Sequence, residues 1–364
     1  MLKDRAQKAT ALRFCISKRW LPQLEVEVEP SSRIEKSKFL LTDLDVLGVA
    51  ASPIGEQFKV VFDCKSGMRE SAIGRAFWLH GVMVKTGASH GFVVLNSKIK
   101  LSSDHRMSAA ELGVSLLQES EFSDLAQGLG GKVELQEGFS SAAEIDAWDQ
   151  FLSIGGKYKS LTPYLEYSCS SFWIVKDAGQ QCRRTVARLR SIRYELDPAK
   201  PEHMAVFGDA VCLFLVSISR LANKLFLVLM RPFVKNEFSS LLLSLLYGGY
   251  ENYQTALKIK QHALGVSPDD SVDIFPNMEK FEQLVREIVQ APYQALPAAI
   301  LAREISFCEL LSRIDSDIQS AIFKESPYAP KFVILAAEYL QKALGLPHEF
   351  SERYVHRALA AMDS

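Results

Sequence analysis

Two short stretches hold the residue types that could do chemistry. One reads Leu41-Thr42-Asp43-Leu44-Asp45-Val46-Leu47-Gly48 and the other Val60-Val61-Phe62-Asp63-Cys64-Lys65-Ser66-Gly67. Apolar runs of this kind read as strands, and side chains at i and i+2 of a strand share a face. Asp43 and Asp45 therefore point together, as do Asp63 and Lys65. A hairpin pairing of the two runs gathers three carboxylates beside one ammonium. Carboxylates that close repel and push one another toward protonation unless a cation compensates. Oxygen donors alone favour a hard ion, Mg²⁺ or Mn²⁺. A lysine beside such an ion can orient or deprotonate an attacking water and neutralise charge on a phosphate. The arrangement suits hydrolysis of a phosphodiester. The competing reading is a cross-strand ion pair on ordinary surface strands.

The elements that must position these residues follow from periodicity. Leu2, Ala6, Ala9, Leu12, Ile16 and Trp20 recur at helical spacing, so 2–20 reads as a helix stopped by Pro22. Strands are expected over 23–29, 38–50 and 57–65, with a turn at Ser52-Pro53-Ile54-Gly55. A helix over 70–85, a strand over 90–96 and, over 108–117, either a helix or a helix leading into a last strand complete an α/β order. Glycines 128, 130, 131 and 138 then suggest a linker over 129–140. Beyond it the pattern is helical: 142–152, 181–194, 206–230, 237–264, 278–289, 298–322 and 330–344. The expected organisation is thus an α/β domain over 1–128 and a mostly helical domain over 141–364.

The spacing from Asp45 to Asp63-Cys64-Lys65 on the following strand resembles the restriction-endonuclease-like, or PD-(D/E)xK, nuclease superfamily. The wording DVLG…DCKSG is similar to a form common in its members, and the α-β-β-β-α-β order of 2–96 matches the family core. Arg106–Leu125 is similar to the helix-strand-helix ending of some branches. The resemblance covers about a third of the chain. It implies a central mixed sheet flanked by helices, Mg²⁺ or Mn²⁺ bound by Asp45 and Asp63, and Lys65 as the catalytic lysine. It also implies DNA as substrate, with RNA an alternative, and deployment in microbial defence. Many members carry a first-helix glutamate that completes the metal site. Residues 2–20 offer only Asp4, so Asp43 is the expected substitute, with Glu29 a weaker stand-in. A catalytically inactive scaffold or nucleic-acid-binding descendant is the alternative.

A second basic feature runs from Gln181 to Arg193, where Arg183, Arg184, Arg188, Arg190 and Arg193 occur without an acidic residue. On a helix seated by Val186, Leu189 and Ile192 they read either as a grip on a phosphate backbone or, slightly preferred, as a solvated or ion-paired face. Arg75, on the helix over 70–85, reads either as facing a phosphate or, preferred, as solvated.

The remaining composition mainly excludes. Forty-two Lys+Arg against 43 Asp+Glu gives a net charge of −1, so no global field argues for nucleic acid or membrane. Six cysteines without a C-x-x-C pair and seven histidines without ligand spacing give zinc sites no support. Walker, dinucleotide-binding, serine-hydrolase and H-E-x-x-H motifs are absent. The apolar run 206–230 is interrupted by Asp209, Arg220, Asn223 and Lys224 and reads as a buried helix, so a cytoplasmic protein without membrane contact is expected. A homo-oligomer or protein partner through the helical half stays open.

Overall fold

An alternating run in the first strand and near-continuous apolar runs in the strands after it build a five-stranded sheet between residues 21 and 118 in the computed structural model of the chain. The structure describes residues 2–30, 39–52, 55–129, 133–229, 235–267 and 272–363. Helix α1 (Arg5–Ser17) precedes strands β1 (Leu21–Val28), β2 (Thr42–Ala51) and β3 (Gln57–Lys65). Helix α2 (Ala72–Thr86) leads to β4 (His90–Leu95), and α3 (Ser103–Glu111) to β5 (Val114–Gln118) and α4 (Glu119–Leu129). The strands lie in sequence order, with β1, β2 and β3 antiparallel and β3, β4 and β5 parallel. The sheet is therefore mixed, flanked by helices as expected. Of the turn joining β2 to β3, Pro53 and Ile54 lie outside the described residues; Ala51 pairs with Gln57, and Gly55 takes φ +81°.

Phe14 of α1, Phe122 of α4, Phe62 of β3 and Phe92 of β4 form the aromatic centre of this region. Phe62 and Phe92 stack at 5.1 Å, and Phe14 meets Phe122 edge-on at 5.6 Å. This cluster fixes α1 against the sheet and so fixes what α1 presents to β2 and β3. In β1, Glu25 has φ +51°, and the pairs Leu24↔Val46 and Val26↔Leu44 flank it without a pairing of its own.

The chain divides into two compact units, and the division is not at 129–140. Unit 1 comprises Met1–Ser52, Gln57–Ile174 and Phe307–Gln319; unit 2 includes Val175–Ser306 and Ser320–Ser364. Gly130 and Gly131 of the expected linker lie outside the described residues. The segment after them is no exposed tether: Phe139, Ser140, Ser141 and Ala142 are buried. Helices α5 (Ile145–Lys157), α6 (Thr162–Cys169) and α7 (Ser171–Ile174) belong to unit 1, where the Trp148 indole N–H donates to the Ala142 carbonyl at 3.0 Å. The buried aromatics Trp148, Phe151, Tyr164, Phe172 and Trp173 hold these helices there, a signal masked in the sequence by the glycines before them.

Unit 2 is helical: α8 (Ala178–Ile192), α9 (Pro201–Leu229), α10 (Lys235–Tyr247), α11 (Tyr250–Leu264), α12 (Met278–Val289), most of α13 (Ala295–Leu310) and of α14 (Asp317–Glu325), α15 (Ala329–Leu344) and α16 (His348–Asp363). Two expected helices are each broken in two. Gly248 (φ +74°) and Gly249 (φ +132°) separate α10 from α11, and Ser312 (φ +54°) lies between α13 and α14. Helix α9 is long and apolar enough to cross a membrane, the one such helix among the described residues, and 72% of its most apolar window is buried in the fold. Its Asp209 pairs with Arg303 at 2.6 Å, both essentially inaccessible.

Phe62→Ala removes the middle of the aromatic cluster, and large cavities of this kind cost about 3–5 kcal/mol. Urea unfolding should show that loss; a change below about 1 kcal/mol would mean that the cluster does not carry the packing.

Candidate functional site

Strand pairing between β2 and β3 ends at Val46↔Phe62, one residue short of where Asp45 would face Asp63. Beyond that point the Asp45 carboxylate takes over from the ladder: its Oδ2 accepts the Cys64 backbone N–H at 2.8 Å. The strands therefore open at the C-terminal end of β3, where the sheet changes from antiparallel to parallel. Crevices at such ends are common ligand positions in α/β sheets. Here the opening forms a cavity of about 620 Å³, lined among others by Asp4, Lys8, Glu25, Asp43, Asp45 and Lys65.

Asp45 and Asp63 are 5% and 1% exposed, so their charges must be met inside the protein. Lys65 lies between them, its Nζ 3.0 Å from Asp45 Oδ2 and 3.3 Å from Asp63 Oδ1. Lys8 of α1, itself 3% exposed, places Nζ 2.9 Å from Asp45 Oδ1 and also donates to Glu25 of β1. Arg75, in the first turn of α2, clasps Asp63 with Nε (2.7 Å) and Nη2. Its guanidinium also lies 4.1 Å from the Trp78 ring. Asp45, Asp63 and Lys65 thus come together, as their spacing predicts.

The other acidic and basic groups named from the sequence are placed differently. Asp43 lines the cavity but is exposed and joins no contact with the other two carboxylates. Among the described residues no group of three or more His, Cys, Asp and Glu converges as a metal cluster. Arg75 is not solvated. Glu29 is not among the cavity residues; the nearer β1 acid is Glu25, which the register sets opposite Asp45. Lys8 and Glu25 left no signal of their own: one sits among the basic residues of the first helix, the other in a plain alternating strand.

Backbone ties hold Lys65 in place. Asp4 accepts from the Ser66 N–H at 2.9 Å and from the Ser66 hydroxyl. The Asn96 N–H (3.0 Å) and the Gln7 amide (3.3 Å) both donate to the Lys65 carbonyl. Asp4 and Gln7, at the start of α1, therefore reach the exit of β3 at two residues.

The electrostatics follow burial first and partners second. Burial pushes the Asp63 carboxyl above its ordinary range, against the pull of Arg75 and Lys65. Burial likewise raises Glu25, opposed by Lys8. For Lys65 burial opposes the charge, but Asp63 and Asp45 outweigh it and hold the ammonium above its ordinary value. Lys8 is raised in the same way, burial being overcome by Asp45 and Glu25. Burial, Asp45 and Asp63 together lift the Cys64 thiol far up, so it is no nucleophile.

No protein-family model, curated protein or solved structure matches this chain.

Lys8→Met leaves the buried Asp45 and the half-buried Glu25 with one cation fewer, and breaking a buried pair costs about 3–5 kcal/mol. Chemical denaturation at neutral pH should show it; a loss within about 0.5 kcal/mol would mean that the pair is solvated. Asp63 has the opposite sign. Its folded value lies above the ordinary 3.8, so ionising it costs the fold. The cost vanishes below 3.8, where the group is protonated folded and unfolded alike, and is complete above the folded value. Asp63→Asn should therefore unfold at higher urea than the native chain at about pH 7, with the advantage shrinking as pH falls toward 3.8. A variant less stable at neutral pH would contradict this ordering.

Proposed function

We propose that unit 1 is a nuclease domain of the restriction-endonuclease-like kind that hydrolyses phosphodiester bonds of DNA with the help of Mg²⁺ or Mn²⁺. One observation carries the reading. Two buried carboxylates from adjacent strands, Asp45 and Asp63, share a single cation, the Lys65 ammonium, at the open end of the sheet beside a cavity. Their donor atoms are hard oxygens only, the chemistry that a hydrated divalent ion needs. Lys65 is 26% exposed and can yield its place between them, so Asp45 and Asp63 fit as ligands, with waters supplying the rest. Bound there, the ion would polarise a phosphoryl oxygen and lower the pKa of a bound water.

The protein's own groups have distinct parts in this reading. Asp63 and Asp45 hold Lys65 as an ammonium, which would donate hydrogen bonds to water and phosphate and stabilise developing negative charge. Arg75 fixes the plane of the Asp63 carboxylate and Lys8 that of Asp45. Asp43 and Asp4 add negative charge at the cavity wall, repelling a phosphate that enters without a cation.

A specific observation favours the second reading, a nuclease-fold scaffold without activity. All four oxygens of Asp45 and Asp63 already accept from Lys8, Cys64, Lys65 or Arg75. A chain that never exchanges these donors for a metal would bind nucleic acid and leave it whole.

The two readings separate in one assay. The purified chain is incubated with single- and double-stranded DNA and RNA, in Mg²⁺, Mn²⁺ or EDTA. Cleavage is expected with metal and not in EDTA. Lys65→Ala should slow it about 10²–10³-fold, the usual worth of one donor aimed at developing negative charge. Asp63→Asn should abolish it while keeping the fold. Intact nucleic acid under every metal condition overturns the nuclease.

A further inference from the structure

Unit 2 carries a charged surface that this chemistry does not use. Helix α8 seats Gln181, Cys182, Thr185, Val186, Leu189 and Ile192 in the interior and turns the rest outward. Arg184 and Arg188 fall one turn apart on one flank of the outer face, and Arg190 falls on the other. The exposed residues Ala187 and Ser191 leave a low lane between them. Immediately past the helix stands Tyr194, 85% exposed, with the Arg193 guanidinium 4.4 Å from its ring centroid.

The arginines divide by what they touch. Arg183 is structural: its Nε donates to the Leu246 carbonyl at 2.9 Å and its guanidinium covers the Tyr247 ring at 4.7 Å. Arg220 donates to Gln181 at 2.6 Å, and Arg286 pairs with Glu282 at 2.9 Å. By contrast the guanidiniums of Arg184, Arg188 and Arg190 have no partner among the described residues. The acids just beyond the helix do not serve them, since Asp197 pairs with Lys200 at 3.4 Å. Three like charges on one helix repel, and no described residue forms a contact that answers them.

We propose that this face of α8 binds the phosphate backbone of a single-stranded nucleic acid, with a base stacked on Tyr194. Guanidinium forks match phosphate oxygens two at a time. An exposed aromatic ring beside such a row is the arrangement that holds unpaired bases. An anionic membrane would ask for an apolar stripe to sink, and the outer face of α8 offers only Ala187 and Ser191 between its arginines. An acidic protein segment would use the charges but leave Tyr194 idle. The inference does not rest on the nuclease reading, because the α8 face would bind whether or not unit 1 cuts.

The test uses the full chain in EDTA, so that cutting cannot intervene. Fluorescence anisotropy follows a labelled single-stranded oligonucleotide, a duplex, vesicles containing phosphatidylserine and polyglutamate, each across a salt series. Single-stranded oligonucleotide should bind tightest of the four. The triple variant Arg184→Gln/Arg188→Gln/Arg190→Gln should weaken it at least about tenfold and flatten the slope of log K against log salt by about 2, at roughly 0.7 for each phosphate no longer neutralised. The matching triple lysine variant should keep that slope. Tyr194→Ala should weaken the single strand about tenfold with the slope unchanged. All these side chains are exposed, so melting curves matching the native chain confirm that binding alone is read. Unchanged binding by the triple glutamine variant overturns the proposal, as does tighter binding of vesicles, polyglutamate or duplex. Binding here without cleavage in metal would sink only the nuclease, and cleavage with an indifferent α8 would sink only this proposal.

Discussion

Carboxylates taken out of water must find cations, and in unit 1 that requirement organises the site. Asp45 and Asp63 lie where β2 and β3 part, too deep for solvent to carry their charge. Each is answered from a different element: Lys8 from α1, Lys65 from β3 itself, Arg75 from α2. Because Lys8 must reach Asp45, the axial position of α1 is set, and the phenylalanine cluster around Phe14 sets its height above the sheet. Because Arg75 must reach Asp63, the first turn of α2 is set as well. Charge and packing therefore agree on one placement for both helices.

Within the same network the burial cost falls on Asp63. Asp63 is buried more deeply than either cation that serves it, so the carboxylate bears a penalty while Arg75 and Lys65 gain. A protein selected for stability alone would place an amide or an apolar group there. A desolvated carboxylate at the end of a sheet, beside a polar cavity, is the feature on which the proposed site rests. The ties from Asp4, Gln7 and Asn96 to the Lys65–Ser66 backbone immobilise the turn that presents the ammonium.

Much of the sheet was legible in the sequence because strand periodicity is local: each of the four strands read with definite limits overlaps an observed one. The trio Asp45, Asp63 and Lys65 was legible for the same reason, as i, i+2 spacing needs no knowledge of distant contacts. Lys8 and Glu25 were not, because a lysine on a helix looks the same whether it meets solvent or a carboxylate on another element. Glu25 would have needed the β1–β2 register, which the long connection between those strands conceals. The compact units were misplaced for a related reason: glycines suggested a boundary, whereas buried aromatics beyond residue 139 bind α5, α6 and α7 to unit 1. The breaks at Gly248-Gly249 and Ser312 are single backbone choices that helical periodicity does not register.

The left-handed backbone at Glu25 bears on a different matter, the solubility of the sheet. β1 is an edge strand, and an edge strand with free amides and carbonyls is a template on which another chain can add. The turn of the backbone at Glu25 breaks the regular run of that edge, and the exposed Glu27 would set charge against any incoming strand. The opposite edge is only the five residues of β5. The residue that helps to neutralise Lys8 thus also interrupts the longer of the two edges, so one distortion serves both the charge balance of the cavity and protection against edge-to-edge assembly.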